Sequence, residues 1–212
     1  MELALEKPRL RGVLHHVGFF VALVAGAWLV ALSPGARGPC AVYAVSLAAM
    51  LGASAAYHRP TWSPRKRAWM RRVDHAAIFV MIAGTATPLA AGLEPAARWR
   101  FLVIMWVGAA VGVLRALVWI QAPKWLVAVL ALALGWTSVP FLPQLAHALG
   151  GVTLGWVAAG GVAYTLGALA YAFKRPNPWP AHFGYHEVFH ALVVLGAAFH
   201  FVAVVRAASM AG

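Results

Sequence analysis

The chain has 212 residues, 63% of them hydrophobic and only 10% charged, with a formal net charge of +12. Soluble globular domains carry about a quarter charged residues, so this composition excludes a water-soluble fold. The basic excess does not describe a nucleic-acid surface either, because Lys and Arg fall in short clusters between apolar runs with no interleaved aromatic face. The single cysteine, Cys40, excludes an internal disulfide and a C-x-x-C metal site, and reads as an inert packing residue.

In chain order, the first eleven residues are polar and charged. The first apolar run is long enough to span a bilayer and has no small-residue cleavage site, so no cleavable leader is expected. Seven membrane-spanning helices are predicted, over 13–32, 40–58, 74–93, 99–119, 125–146, 151–173 and 185–206. Uninterrupted apolar stretches such as Trp125 to Gly135 favour helices over barrel strands, which would alternate in polarity. Proline and glycine punctuate the junctions. Pro88 is expected to kink the third span, and Pro140 and Pro143 to kink or end the fifth. The expectation is one all-α seven-helix domain over residues 1–212.

Basic residues orient this bundle. With a cytoplasmic N-terminus, twelve Lys and Arg fall inside, among them Lys7, Arg59, Arg71, Lys174 and Arg175. Four fall outside, at Arg37, Arg98, Arg100 and Arg206. That bias predicts an inside N-terminus and an outside C-terminus, with anionic lipid headgroups as partners of the basic inner loops. Gly108/Gly112 and Gly151/Gly155 have the spacing of close helix contacts and read as packing within the chain. Trp62, Trp69, Trp99, Trp125 and Trp179 read as interfacial anchors.

Ionisable residues at membrane depth are costly and are therefore candidates for function. On the predicted topology, Ser54 and His58 end the second span, Asp74 and His75 open the third, and His186 and His190 open the seventh. All fall in the inner half of the bilayer. His186 and His190, at i and i+4, project from one helix face. With His58 they make a set of three nitrogens suited to Zn2+, which leaves an open position in a catalytic site. Asp74 is then placed to act as a general base and Ser54 to orient a ligand or a substrate oxygen; Asp74 can also be read as the N-cap of the third helix. His15 and His16 read as interfacial residues, His75 as an interfacial residue or a support beside the ligands, and His147 and His200 as interfacial or packing residues.

The string HEVFH, His186 to His190, also matches the H-E-x-x-H motif of zinc proteases. A protease would need a further ligand. Glu94, the remaining glutamate near a span, falls on the opposite side of the membrane, so little besides the motif supports proteolysis.

Taken together, "SAAYH" (Ser54 to His58), Asp74-His75 and "HEVFH" resemble the S-x-x-x-H, D and H-x-x-x-H set of the hemolysin III family. That family lies within the superfamily of progestin and adipoQ receptors, which includes the adiponectin receptors. Flanking segments such as "GTATPLA" and "PNPWPAHFGYHEVFHAL" extend the resemblance over most of the chain. It implies a seven-helix bundle in a bacterial plasma membrane, with zinc near the cytoplasmic face held by His58, His186 and His190, and with Asp74 and Ser54 beside a bound water. It also implies that Glu187 has no protease-like role. The receptors resemble ceramide-cleaving zinc amidohydrolases, so a lipid amide or ester hydrolase linked to membrane homeostasis is the leading expectation. A non-catalytic sensor with structural zinc and a pore-forming haemolysin are the alternatives. One departure stands out: Arg9, Arg11 and Gly12 occupy positions where relatives often carry Glu and Asn before a histidine.

Overall fold

The computed structural model describes residues 7–210; residues 1–6 of the charged leader, and the last two, lie outside the described part. The described chain is helical throughout, with α1 (Val13–Ala31), α2 (Arg37–His58), α3 (Pro64–Leu89), α4 (Pro95–Val118), α5 (Lys124–Trp136), α6 (Leu142–Phe173) and α7 (Tyr185–Ser209). Six helical segments are long and apolar enough to cross a membrane, and one of them is the 49-residue stretch Trp125–Phe173. Burial is modest within them, and large residues such as Val24, Val118 and Phe173 point outward. This is the outside-apolar pattern of a protein dissolved in lipid.

Two boundaries differ from those predicted. The third helix begins at Pro64, ten residues before Asp74, so Asp74 lies inside α3 and caps nothing. Reading apolar residues alone misses its first turns, Arg65 to Arg72, which are mostly basic and exposed. Pro64 sits at the helix start, where its missing N–H costs nothing. The fifth predicted span breaks at its prolines, as expected, but its last turns join the next helix. α5 stops at Trp136, a 3-10 turn covers Val139–Phe141, and α6 begins at Leu142. Pro140 lacks an amide, and the hydroxyls of Thr137 and Ser138 donate back to Leu134 O and Gly135 O at 2.6 and 2.8 Å. Further on, Gly150 breaks α6 with φ +74°. Pro88 lies one residue from the end of α3, where a 3-10 turn follows.

Each helix packs along its neighbour in sequence, and α1 and α3 also meet α7. Cys40, Tyr43, Phe79, Phe101, Met105, Ala203 and Val204 are buried at the centre. Gly108 faces Leu134 and Gly112 faces the Phe79 ring, so this small-residue pair serves packing within the chain. Gly151 and Gly155 do not: nothing lies within 4 Å of either Cβ position.

Gly112→Val is expected to lower stability by about 1–3 kcal/mol through overpacking against Phe79, whereas Gly155→Ala should leave it unchanged. Thermal unfolding of the two variants in one detergent checks the difference.

Candidate metal centre

Three helices converge at one end of the bundle. α2 delivers His58 on its last residue, α7 delivers His186 and His190 from its first two turns, and α3 passes Asp74 beside them. One ligand atom from each of His58, His186 and His190 lies within 4.8 Å of the others. Nε2 of His58 and Nε2 of His186 are 3.3 Å apart. Nitrogens bound at 2.0–2.1 Å to a tetrahedral zinc stand roughly 3.4 Å apart, so this spacing, also that of a ring-to-ring hydrogen bond, is compatible with a shared tetrahedral metal ion. The ring centroids of His190 lie 5.0 Å from His58 and 4.5 Å from His186. Three imidazoles with converging nitrogens are a donor set that fits a divalent transition metal.

Asp74 is buried, and its Oδ2 lies 3.9 Å from His58 Nε2. That is too long for a hydrogen bond, so the carboxyl faces the converging nitrogens without fixing His58. The buried Ser54, one turn before His58 on α2, is within hydrogen-bonding reach of Asp74. Tyr171 of α6 packs edge-on against His186 with 5.6 Å between centroids. The predicted site residues Ser54, His58, Asp74, His186 and His190 are thus brought together.

One residue at this centre differs from its expected placement, and a second has contacts the sequence did not reveal. His15 is buried rather than interfacial, and its ring stacks on His190 at 3.9 Å and 10°. Neither of its ring nitrogens has a hydrogen-bond partner. His16, by contrast, is exposed as expected. The signal was present in α1: His15, Ala22, Gly26 and Leu29 form its buried stripe at helical spacing. The small residues Ala22 and Gly26 mark the inward face, and His15 lies on it.

Glu187 is the second. It is 1% exposed, with one carboxylate oxygen paired to Arg11 and the other accepting from the Gly184 amide at 2.9 Å. The glutamate of HEVFH is therefore a helix cap and ion-pair partner, and its oxygens are not available as a protease base. Glu94 precedes α4 at its N-cap position, without a side-chain cap bond, and lines a hollow with Gln144 and His147, so it supplies no further ligand.

The residues that depart from the hemolysin III pattern have positions that explain them. Arg11 is the partner of Glu187. Gly12 adopts φ +77°, and a Cβ there would lie 2.8 Å from the Cβ of His58. The leader is tied down on either side, with Arg9 and Leu10 amides donating to Ala181 O and His182 O at 3.1 and 3.2 Å. Lys7 Nζ donates to Arg59 O at 3.1 Å. Residues 7–12 thus form a strap across the histidine end of the bundle.

Comparison with known proteins agrees with this architecture. A haemolysin-III-related family profile matches residues 3–201. A hemolysin-3 homolog of Bacillus subtilis (strain 168) is 29% identical over 164 residues, which is 77% of this chain and 74% of that protein. Hemolysin-3 of Bacillus cereus is 28% identical over 133 residues, 62% of this chain and 58% of its own length. The profile runs from the strap through all three histidines and most of α7, and with its six membrane-competent segments the chain is an integral membrane protein belonging to the haemolysin-III-related family.

Proposed function

We propose that this protein is a seven-pass zinc hydrolase of lipid amides or esters in the bacterial plasma membrane, with its site at the cytoplasmic end. The observation that carries the reading is the 3.3 Å approach of His58 and His186 nitrogens beside His190, with a buried carboxyl 3.9 Å from one of them. His58, His186 and His190 hold the ion. Zinc in such a site acts as a Lewis acid toward a carbonyl oxygen and makes water more acidic. Asp74 takes the proton of the attacking water and returns it to the departing amine or alcohol. Ser54 holds the Asp74 carboxyl in place, and the surrounding helices offer an apolar bed for acyl chains.

The seven-pass count is supported by lengths and contacts. A 49-residue segment would extend about 74 Å as one helix, more than twice the hydrocarbon thickness. Phe141 meets Phe101 near the start of α4, at 4.9 Å between centroids. Beyond the Gly150 break, Thr153 accepts from Arg206 near the end of α7, and Tyr171 meets His186 at its start. Two passes joined near Gly150 satisfy these contacts. The excess of Lys and Arg at the histidine end supports a cytoplasmic N-terminus and an external C-terminus.

A structural role for zinc, in a sensor of membrane state, is the second reading. It is favoured by one feature: α2 and α7 touch little except through their histidines. The Hemolysin-3 name of the relatives suggests a pore, but most ionisable side chains lie at the histidine end and others, such as Arg37, Arg98 and Arg206, at the opposite end, instead of lining a path through the bundle.

His58→Ala and His190→Ala should each lose the bound metal, read by elemental analysis of protein purified without added zinc. Asp74→Asn separates the two readings. For a hydrolase it keeps the metal and lowers fatty-acid release from an acyl-amide panel by about 10²–10⁴-fold; for a structural site it leaves function intact. Glu187→Gln should cost roughly 1.5–3 kcal/mol of stability by weakening charge-assisted bonds, while retaining metal and turnover. Loss of turnover with unchanged melting would instead restore a catalytic base at Glu187.

A further inference from the structure

A groove of about 900 Å³ lies between α6 and α7, outside the histidine centre. Leu166, Leu169 and Phe173, at i, i+3 and i+7 of α6, form one wall, and all three are exposed. Val188 and Leu192, at i and i+4 of α7, form the other, and Ala170 is the floor. Lys174 and Arg175 stand at one mouth. From Leu166 to Lys174 the helix rises about 12 Å, so an apolar trough runs beneath the two cations toward the middle of the membrane-spanning segment.

The backbone that carries the two cations is held in place, and among the described residues neither cation has a carboxylate partner. Lys174 ends α6 in the left-handed conformation at φ +55°, and the amides of both Lys174 and Arg175 donate to Ala170 O. Opposite them, Asn177 of the same groove accepts from the Tyr185 amide at 3.1 Å, which holds that side of the mouth against the start of α7. Among the described residues the acidic side chains are Asp74, Glu94 and Glu187. Asp74 is buried at the histidine centre, Glu187 is paired with Arg11, and Glu94 stands at the start of α4 beside Gln144 and His147. None reaches Lys174 or Arg175.

We propose that this groove binds one anionic glycerophospholipid, with its phosphate at Lys174 and Arg175 and an acyl chain along Leu166, Leu169 and Leu192. Charge complementarity selects the headgroup, and the trough below selects a chain-bearing ligand over a soluble anion. The volume falls within the range of ligand-sized clefts. The site does not depend on the metal or on the hydrolase reading, so its test runs equally well on protein stripped of metal.

Purified protein is reconstituted in phosphatidylcholine vesicles with and without one part in four of phosphatidylglycerol, and retained lipid is counted by native mass spectrometry. The expected result is one retained phosphatidylglycerol. Lys174→Gln with Arg175→Gln should weaken it about 30-fold, at the usual contribution of a surface cation to anionic-lipid binding. Ala170→Phe, which fills the floor and keeps both charges, should also release it. The paired control Arg65→Gln with Lys66→Gln, in the basic first turn of α3, should retain it. Equal loss in control and test pairs would show a diffuse basic field and overturn the site. Unchanged binding in the double variant or in Ala170→Phe would overturn it too. Displacement by glycerol phosphate at lipid-like affinity would show that the trough takes no part, which also refutes the proposal.

Discussion

The approach of two imidazole nitrogens, His58 Nε2 and His186 Nε2, to 3.3 Å is the contact on which the rest of this structure turns. In lipid, a polar side chain must be satisfied without water, and leaving it unsatisfied is expensive. Three imidazoles brought to one point with their nitrogens converging meet that demand together if a cation lies between them. The same contact joins the end of α2 to the start of α7, helices that otherwise meet little. Chemistry and architecture are therefore coupled at one place.

Around that contact the chain spends its polar residues sparingly. Of the three described carboxylates, one faces the histidine set and one caps the helix that carries two of the histidines. Capping by Glu187 fixes the first turn of α7, and Arg11 holds Glu187 from the leader strap. His15 adds a parallel ring on the far side of His190 and restricts its orientation by stacking. The geometry of the centre is thus set by contacts from α1, the strap, α2, α3 and α7, an arrangement that keeps ligands in place before any ion arrives.

The basic residues at this end have a different physical role. With so few acids among the described residues, little of their charge is compensated within the described part of the protein. Anionic headgroups are the natural counterions of a basic rim at a membrane surface. The α6–α7 groove is where that rim meets a concave apolar surface instead of a flat one.

Much of this was legible in sequence. Apolar runs of about 20 residues require helices, since no other local structure satisfies its own backbone in lipid. The i, i+4 spacing of His186 and His190 puts both rings on one face whatever the tertiary fold. That His58 and Asp74 share one end of the bundle followed from counting along the spans. The rest depended on tertiary contact. A basic helical extension before Asp74 carries no apolar signal, whereas the break at Pro140 was marked by the proline itself. His15 could be separated from His16 only by the face that α1 turns inward, and the pairing of Glu187 with Arg11 links positions 176 residues apart. Local chemistry determined which residues could bind a metal or cap a helix, whereas the packing of helices distant in sequence decided which of them meet.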